Sequence, residues 1–463
     1  MIEQGGERAS WHFVGIGGIG MSAIARILIA RGEPVSGSDV KATPLVESLR
    51  REGAHVMIGH DASNVHGAHT VIVSSAIDRR NPEYVAAQRL GIPLLHRGEM
   101  LARLVRERRG IAICGTHGKT TTTAMAHTIL RDGGIDASLA LGGIDALLGT
   151  NAHNGSSSWF VTEADESDGS FALLDPAIAV VTNIENDHLQ SDDELPQLVR
   201  AFEEFLGKLP EDGLAVVGVD DPLAASLVER RRRARTVTFG FGPRADVRAA
   251  NLRYDGLGAA FDVIAGDVCL GTVEMRVPGA INVQNALAAI ALARELEIPF
   301  VRVAEAMHEF RGVRRRFDIL ARGNQMTVVD DYAHHPTAVR ATIAAARQYH
   351  RGPVVVAFQP HRYSRTAFLA RDFADALRGA DRVYLAPVYA ASEAPIPGVS
   401  ERSIGEPLTN AGTRVTYVPR VDDLEDRLLD EAPRGALVLM LGAGNITDVA
   451  MRLARRIDGA GAA

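Results

Sequence analysis

Cysteine is nearly missing from this chain. Only Cys114 and Cys269 occur in 463 residues, in unrelated segments. No disulfide framework can hold the fold, and a reducing compartment is expected. No apolar run reaches the roughly 18 residues that a membrane-spanning helix needs. The opening stretch, Met1 to Ser10, is polar and lacks the apolar core of a secretory signal. Long basic blocks are absent and the formal net charge is −7, so nucleic acid is not an expected partner. Internal repeats and low-complexity tracts are missing as well. These absences point to a cytoplasmic location without membrane insertion, and they say nothing of oligomeric state. What remains is ordinary globular composition over a length that allows two to four domains.

The most informative stretch is Ile111 to Thr123. A short apolar run, Ile111 to Cys114, reads as a buried strand. Gly115, Thr116, His117 and Gly118 form a tight turn, and Lys119, Thr120 and Thr121 open a helix that stops near Gly133 and Gly134. Such a loop turns backbone N–H groups and a helix N-terminus toward a phosphate, with the lysine as a point charge and the threonine hydroxyl for a metal. Ile113 stands where the strict pattern has glycine, so this is a shortened variant.

An earlier segment repeats the layout with different spacing. Trp11 to Val14 reads as a strand, followed by Gly15, Gly17, Gly18 and Gly20, a helix over Met21 to Ala30, and a strand over Pro34 to Ser38 ending in Asp39. The glycines suit a pyrophosphate, and Asp39 could bind a ribose hydroxyl. Thr70 to Val73 is a further strand, with Ser74 and Ser75 just past it, where open α/β sheets bind ligands. Residues 1–109 read as one Rossmann-like nucleotide-binding domain.

Residues 110–312 read as a phosphate-loop domain. A strand over Trp159 to Thr162 leads into Glu163, Asp165, Glu166 and Asp168, and one over Ala177 to Thr182 leads to Asp187 and His188. Downstream of a triphosphate loop, a carboxylate is needed to hold a hard cation. Short strands over Thr238 to Phe241, Ala259 to Ile264, Val268 to Leu270 and Glu274 to Val277 suggest a small antiparallel insertion. An amphipathic helix is expected over Asn282 to Leu296, with Asn282 and Asn285 as candidate caps. Residues 313–463 read as a second Rossmann-like domain of strand–loop–helix units. Asp331, Tyr332, His334, His335, Arg362 and Arg365 cluster at its strand ends, and the tail from Asp458 is expected to be disordered.

Taken in order, these motifs resemble the Mur ligase family. The carriers are Val14 to Met21, Gly115 to Thr121, Glu163 to Asp168, Thr182 to Glu185 with Asp187 and His188, Arg315 to Asp318, Asp330 to Thr337, Phe358 to Tyr363 and Glu393 to Ile396. The resemblance spans about residues 11 to 450. It implies three domains that bind a UDP-sugar, ATP and an amino acid, and an ATP-dependent ligation through an acyl phosphate. UDP-N-acetylmuramate would lie on the first glycine loop, near Asp39, Ser74 and Ser75. Lys119 and Thr120 would serve ATP. Thr120, Glu163 and His188 would hold Mg2+, with Mn2+ as the alternative metal. Asn282, Asn285 and Arg316 would lie toward the adenine or phosphates. Asp331, Tyr332, His334, His335, Arg362 and Arg365 would meet the amino acid, with His335 or a nearby carboxylate taking the amine proton. The Gly-Ile-Gly-Gly opening fits the member acting first, which implies L-alanine. Ala333 stands where the family commonly has glycine, and Gln190 to Asp193 departs from the usual continuation after His188. Two other classes compete: a nicotinamide-dependent oxidoreductase, resting on Gly15 to Gly20, and a non-enzymatic phosphate-loop regulator.

Overall fold

A computed structural model describes residues 10–165, 170–186, 195–230 and 234–460. The chain packs as two units. The first holds Met1–Ile184, Leu198–Phe239 and Ala288–Val303; the second holds Glu185–Gln197, Gly240–Leu287 and Ala304–Ala463.

In the first unit, strands β1 (Trp11–Val14), β2 (Val35–Asp39), β3 (His55–Ile58), β4 (Thr70–Val73) and β5 (Leu94–His96) form a parallel sheet in the order β3-β2-β1-β4-β5. The chain runs outward from β1 in one direction and then returns to its other side. The gap between β1 and β4 is therefore the switch point where such sheets bind ligands. The glycine loop follows β1, and Ser74 and Ser75 follow β4. The helix Ile19–Ala30 buries a continuous run from Met21 to Leu28 against this sheet.

A second sheet in the same unit contains β6 (Arg109–Cys114), β7 (Ser138–Ala140), β8 (Ala152–His153), β9 (Trp159–Glu163), β10 (Ile178–Val181), β11 (Leu214–Gly218) and β12 (Arg235–Gly240). β6 lies between β9 and β10 and is parallel to both, while β8 runs antiparallel to β7. Both neighbours of β6 therefore end beside the phosphate loop. The helix Lys119–Asp132 is buried from Thr120 to Leu130. Four successive threonines are tolerated there because the helix lies inside the domain rather than on it.

The second unit contains the meander β13 (Val247–Asp255), β14 (Gly258–Ala265) and β15 (Val268–Met275), antiparallel throughout. Its third sheet has β16 (Asp318–Arg322), β17 (Met326–Asp331), β18 (Val354–Phe358), β19 (Arg382–Leu385), β20 (Arg414–Tyr417) and β21 (Ala436–Leu441), in the order β16-β17-β21-β18-β19-β20. Only β16 runs antiparallel. Two apolar cores, around Phe358 and Phe373 on one side and Met440 and Leu453 on the other, cover its faces.

Several expectations change. Thr238 to Phe241 is not part of the antiparallel insertion; Arg235–Gly240 pairs parallel with β11. β13 was not foreseen, because its side chains are mostly half-exposed and carry little apolar alternation. Val268–Met275 is one strand rather than two. Its register slips at Leu270, where Ile264 faces Cys269 and Val263 faces Gly271, the signature of a β-bulge. The helix Ala280–Glu295 is not amphipathic: Val283 and every residue from Asn285 to Ala293 are buried. Its many alanines let neighbours close in on all sides. Asn282 is not a cap, since its amide donates to the Pro278 carbonyl at 2.7 Å. The last helix runs Ile446–Ala460, so Asp458 is helical; residues 461–463 lie outside the described residues.

Candidate active site

The phosphate loop is built from both neighbouring strands. Gly115 has φ +123° and Gly118 φ +85°, conformations that favour glycine. A Cβ on Gly115 would also meet Thr182 Oγ1 at 2.2 Å. Thr182 and Asn183, just past β10, clamp the turn. Thr182 Oγ1 donates to the His117 carbonyl at 2.6 Å, and Asn183 Nδ2 donates to the same oxygen at 3.0 Å. In return the His117 N–H donates to Asn183 Oδ1 at 2.8 Å, and the Thr116 N–H to the Asn183 carbonyl at 3.0 Å. Lys119 Nζ donates to the Gly115 carbonyl at 2.6 Å. Glu163, at the end of β9, accepts from Thr120 Oγ1 at 2.8 Å and from the Gly142 N–H at 2.5 Å. A hydroxyl and a carboxylate thus meet at the helix N-terminus, a donor set of hard oxygens that suits Mg2+.

In the first loop, Gly15 has φ +77° and Gly18 caps the helix Ile19–Ala30. Asp39 Oδ2 accepts the Gly17 N–H at 2.8 Å, and a Cβ on Gly17 would press on that oxygen at 2.8 Å. Asp39 is therefore a brace for the loop, a role that the ribose reading of its position did not include. Ser75 Oγ pairs with His96 Nε2 at 3.0 Å.

In the second unit, loops after β17, β18 and β21 leave the carboxyl ends of adjacent parallel strands. Asp331 is buried and accepts N–H groups from Phe317 and Ala333, each at 2.8 Å. Burial raises its pKa, opposed by the nearby Arg316 charge and these hydrogen bonds. Asp330 accepts from Thr447 Oγ1 at 2.6 Å and faces Arg315 at 3.5 Å, yet burial pushes it up to about 6. The guanidinium groups of Arg315 and Arg316 lie over the Tyr332 ring, 4.9 and 5.2 Å from its centroid. From Tyr332 the rings of His334, His361 and Tyr389 continue as a ladder with centroid spacings of 4.9, 5.8 and 5.6 Å. Arg315, Phe317 and Arg362 hold φ of +62°, +49° and +69°, a clustering of non-glycine strain typical of functional sites. Arg362 is exposed, whereas Arg365 and His335 are buried.

Three family models match the chain: Mur ligase family, catalytic domain, over residues 10–109; Mur ligase middle domain, over 113–293; and Mur ligase, glutamate ligase domain, over 315–444. The chain belongs to the Mur ligase family. A UDP-N-acetylmuramate–L-alanine ligase of Desulforamulus reducens is 44% identical over 451 residues, 96% of this chain and 97% of that protein. The enzyme of the same name from Acidithiobacillus ferrooxidans is 46% identical over 445 residues, covering 95% and 96%. The crystal structure of the Thermotoga maritima UDP-N-acetylmuramate–alanine ligase superposes with a TM-score of 0.84 at 31% identity, covering 97% of this chain and 99% of that one.

For this Mur ligase, the structure brings Gly115 to Thr121 together with Glu163 in the first unit. It also brings Asp331, Tyr332 and His334 together in the second. Asn282 and Asn285 lie in the first half of the helix Ala280–Glu295, bonded to each other at 3.2 Å. His188, with Asp187, Glu166 and Asp168, lies outside the described residues. Asn183, Gly142 and Asp330 were not among the site residues read from the sequence, although Asn183 and Asp330 fall within motifs that carry the resemblance. Asn183 carried a usable signal: it is polar and directly past a parallel strand, the argument applied instead to Asp187 and His188 further along.

Proposed function

We infer that this Mur ligase joins L-alanine to the lactyl carboxylate of UDP-N-acetylmuramate, cleaving ATP to ADP and phosphate, in peptidoglycan precursor synthesis. The observation that carries this reading is the strand-end phosphate loop of Lys119, Thr120 and Glu163, in a chain whose near-full-length relatives bear that enzyme's name.

A carboxylate does not react with an amine directly, because oxide would have to leave. A carboxylate oxygen therefore attacks the γ-phosphorus and ADP departs, leaving an acyl phosphate. The alanine nitrogen adds to its carbonyl carbon, the tetrahedral oxyanion collapses, and phosphate leaves with the C–O bond electrons. Positioning and electrostatics carry most of such catalysis. Gly115, Thr116, His117, Gly118, Thr120 and Thr121 line the phosphates, and Lys119 exchanges its loop carbonyls for the β/γ oxygens. Mg2+ or Mn2+ would be held by Thr120 and Glu163, with His188 as the third ligand that the family resemblance implies, and would supply charge neutralisation of the triphosphate. Gly15, Gly17, Gly18 and Gly20 receive the pyrophosphate of the UDP-sugar, with Asp39, Ser74 and Ser75 beside it. Asn282, Asn285 and Arg316 serve the nucleotide. Asp331, Tyr332, His334, Arg362 and Arg365 orient alanine, and His335 accepts the amine proton. Domains of 1–109, 110–312 and 313–463 divide these tasks. The cytoplasm, where ATP and UDP-sugars are made, is the matching location. Among the described residues no helix is long and apolar enough to cross a membrane.

The test is phosphate release with ATP, Mg2+ and UDP-N-acetylmuramate across a panel of L-amino acids. Release that needs both the UDP-sugar and alanine supports the reading. ATP turnover indifferent to the UDP-sugar would overturn it.

A further inference from the structure

Between the first glycine loop and Glu163 lies one fully buried amide with every polar atom in use. Asn151 sits at the end of a hairpin loop that starts at Leu141, between β7 and β8, whose pairing sets Ala140 opposite Ala152. Its side chain is 0% exposed. One N–H of Nδ2 donates to the Ile19 carbonyl at 2.7 Å and the other to Ser22 Oγ at 2.9 Å. Both acceptors belong to the first turn of the helix that opens on the glycine loop. Asn151 Oδ1 accepts from Arg26, whose guanidinium is anchored in turn on Glu52 at 2.9 Å and Ser48 at 3.0 Å.

The backbone of the same residue reaches the other site. The Leu141 N–H donates to the Asn151 carbonyl at 2.9 Å. The next N–H in the chain, that of Gly142, fixes Glu163 Oε1 at 2.5 Å, and Glu163 Oε2 faces Thr120 at 2.8 Å. The loop between is stiffened by buried Asp145, which accepts from Leu147 and Leu148 at 2.8 and 2.9 Å. Four hydrogen bonds and one peptide link thus join the first helical turn beside the glycine loop to the carboxylate beside the phosphate loop.

We propose that Asn151 is a positioning residue that couples occupancy of the first glycine loop by the UDP-sugar to the geometry of Glu163 at the Mg2+–nucleotide site. The inference rests on the proposed function and adds a link between its two nucleotide sites. A ligand that shifts the start of helix Ile19–Ala30 moves the acceptors of Asn151. Because a buried amide left unpaired is costly, the hairpin follows, and Gly142 carries the shift to Glu163. Coupling of this kind is reciprocal, so either ligand reports it.

Calorimetric titration of UDP-N-acetylmuramate into the full chain, with and without Mg2+ and a non-hydrolysable ATP analogue, measures the coupling as a ratio of affinities. Wild type is expected to show a ratio of about five-fold or more. Asn151→Asp keeps the Arg26 partner and the size but cannot donate to Ile19 or Ser22. Its ratio should fall to within about two-fold of unity, the floor below the usual coupling range. A merely structural role would weaken both titrations alike and leave the ratio intact. Ser22→Ala, which removes one acceptor and keeps the other, should give an intermediate ratio and serves if Asn151→Asp does not fold. A wild-type ratio of unity, or an unchanged ratio in whichever variant folds, overturns the coupling alone. No binding of the UDP-sugar to wild type under either condition overturns the proposed function and this inference with it.

Discussion

The loop after β6 and the loop after β17 leave parallel strands in the same way and are built for opposite purposes. The first places glycine at positive φ, at Gly115 and Gly118, and is clamped from outside by the neutral groups of Thr182 and Asn183. Its helix opens on Gly118, and a helix N-terminus favours an anion. The second brings its own anion. Asp331 consumes the N–H groups of Phe317 and Ala333, and the Tyr332 N–H goes to the Arg315 carbonyl. With these N–H groups in use, that loop region presents side chains: Arg316, Tyr332 and His334. A loop's donor inventory thus separates a phosphate cradle from a surface that recognises its ligand by side chains.

Lys119→Ala should break the first loop most severely. Turnover is expected to fall by about 10³-fold or more, because the developing charge on the transferred phosphoryl group loses its fixed cation. UDP-N-acetylmuramate affinity should stay within about two-fold, since Lys119 belongs to the phosphate loop and not to the first glycine loop. Loss of both in a folded protein would end the division of labour between the loops of the first unit.

Asn183→Ala tests whether the clamp matters as much as the cradle. It deletes both the acceptor for the His117 N–H and a donor to the His117 carbonyl. The turn is then held by Thr182 and the Asn183 backbone. A displacement of about 1 Å there should cost on the order of 10²-fold in kcat/KM for ATP. An effect confined to thermal stability, with kinetics intact, would make Asn183 a packing residue only.

How much of this was legible follows from the same contrast. Backbone chemistry shows in a sequence as glycine at fixed spacing after a short apolar run. Both glycine loops, and the strands that lead into them, could be read for that reason. Thr182 and Asn183 were visible as residues but not as a clamp, because a side chain's partner across 66 positions leaves no local trace. Asp331 was picked out as a substrate-facing candidate, and the bracing it gives by accepting the Phe317 and Ala333 N–H groups was not legible. Positive φ at Arg315, Phe317 and Arg362 was unreadable, since only glycine announces such a conformation. β16 and β20 escaped notice as edge strands, each paired on one side and only partly buried. The helix Ala280–Glu295 misled because alanine serves equally at a solvent face and in a tight interior.

Asp330 offers a test of the second loop through pH. Burial raises its pKa from 3.8 to about 6 despite the Thr447 and Arg315 contacts. The native state therefore holds this proton more tightly than the unfolded chain. Its contribution to stability is fully present below about pH 4 and is lost as pH rises through about 6. Asp330→Asn keeps an acceptor for Thr447 and removes the titration. The stability of the variant relative to wild type should rise between those pH values and level off above pH 7, by up to about 3 kcal/mol at 1.36 kcal/mol per pKa unit. Unfolding midpoints measured across that range check it. A difference independent of pH would mean that Asp330 does not titrate in this window.

Asp331→Asn is expected to have the smallest effect on stability, because two terms oppose. The carboxylate accepts two N–H groups on two oxygens. An amide has one oxygen, so either the Phe317 or the Ala333 N–H faces an NH2 group, at a cost of about 1–3 kcal/mol. Against this, the variant no longer buries a charge, the cause that raises the Asp331 pKa. The net loss should be about 1 kcal/mol, within the usual range for a single substitution. Function should separate the two loops more clearly than stability does. If the second loop presents side chains through the bracing of Asp331, KM for alanine should rise while KM for ATP holds. Equal changes in both would mean that Asp331 supports the fold of the second unit as a whole rather than the face carrying Tyr332 and His334.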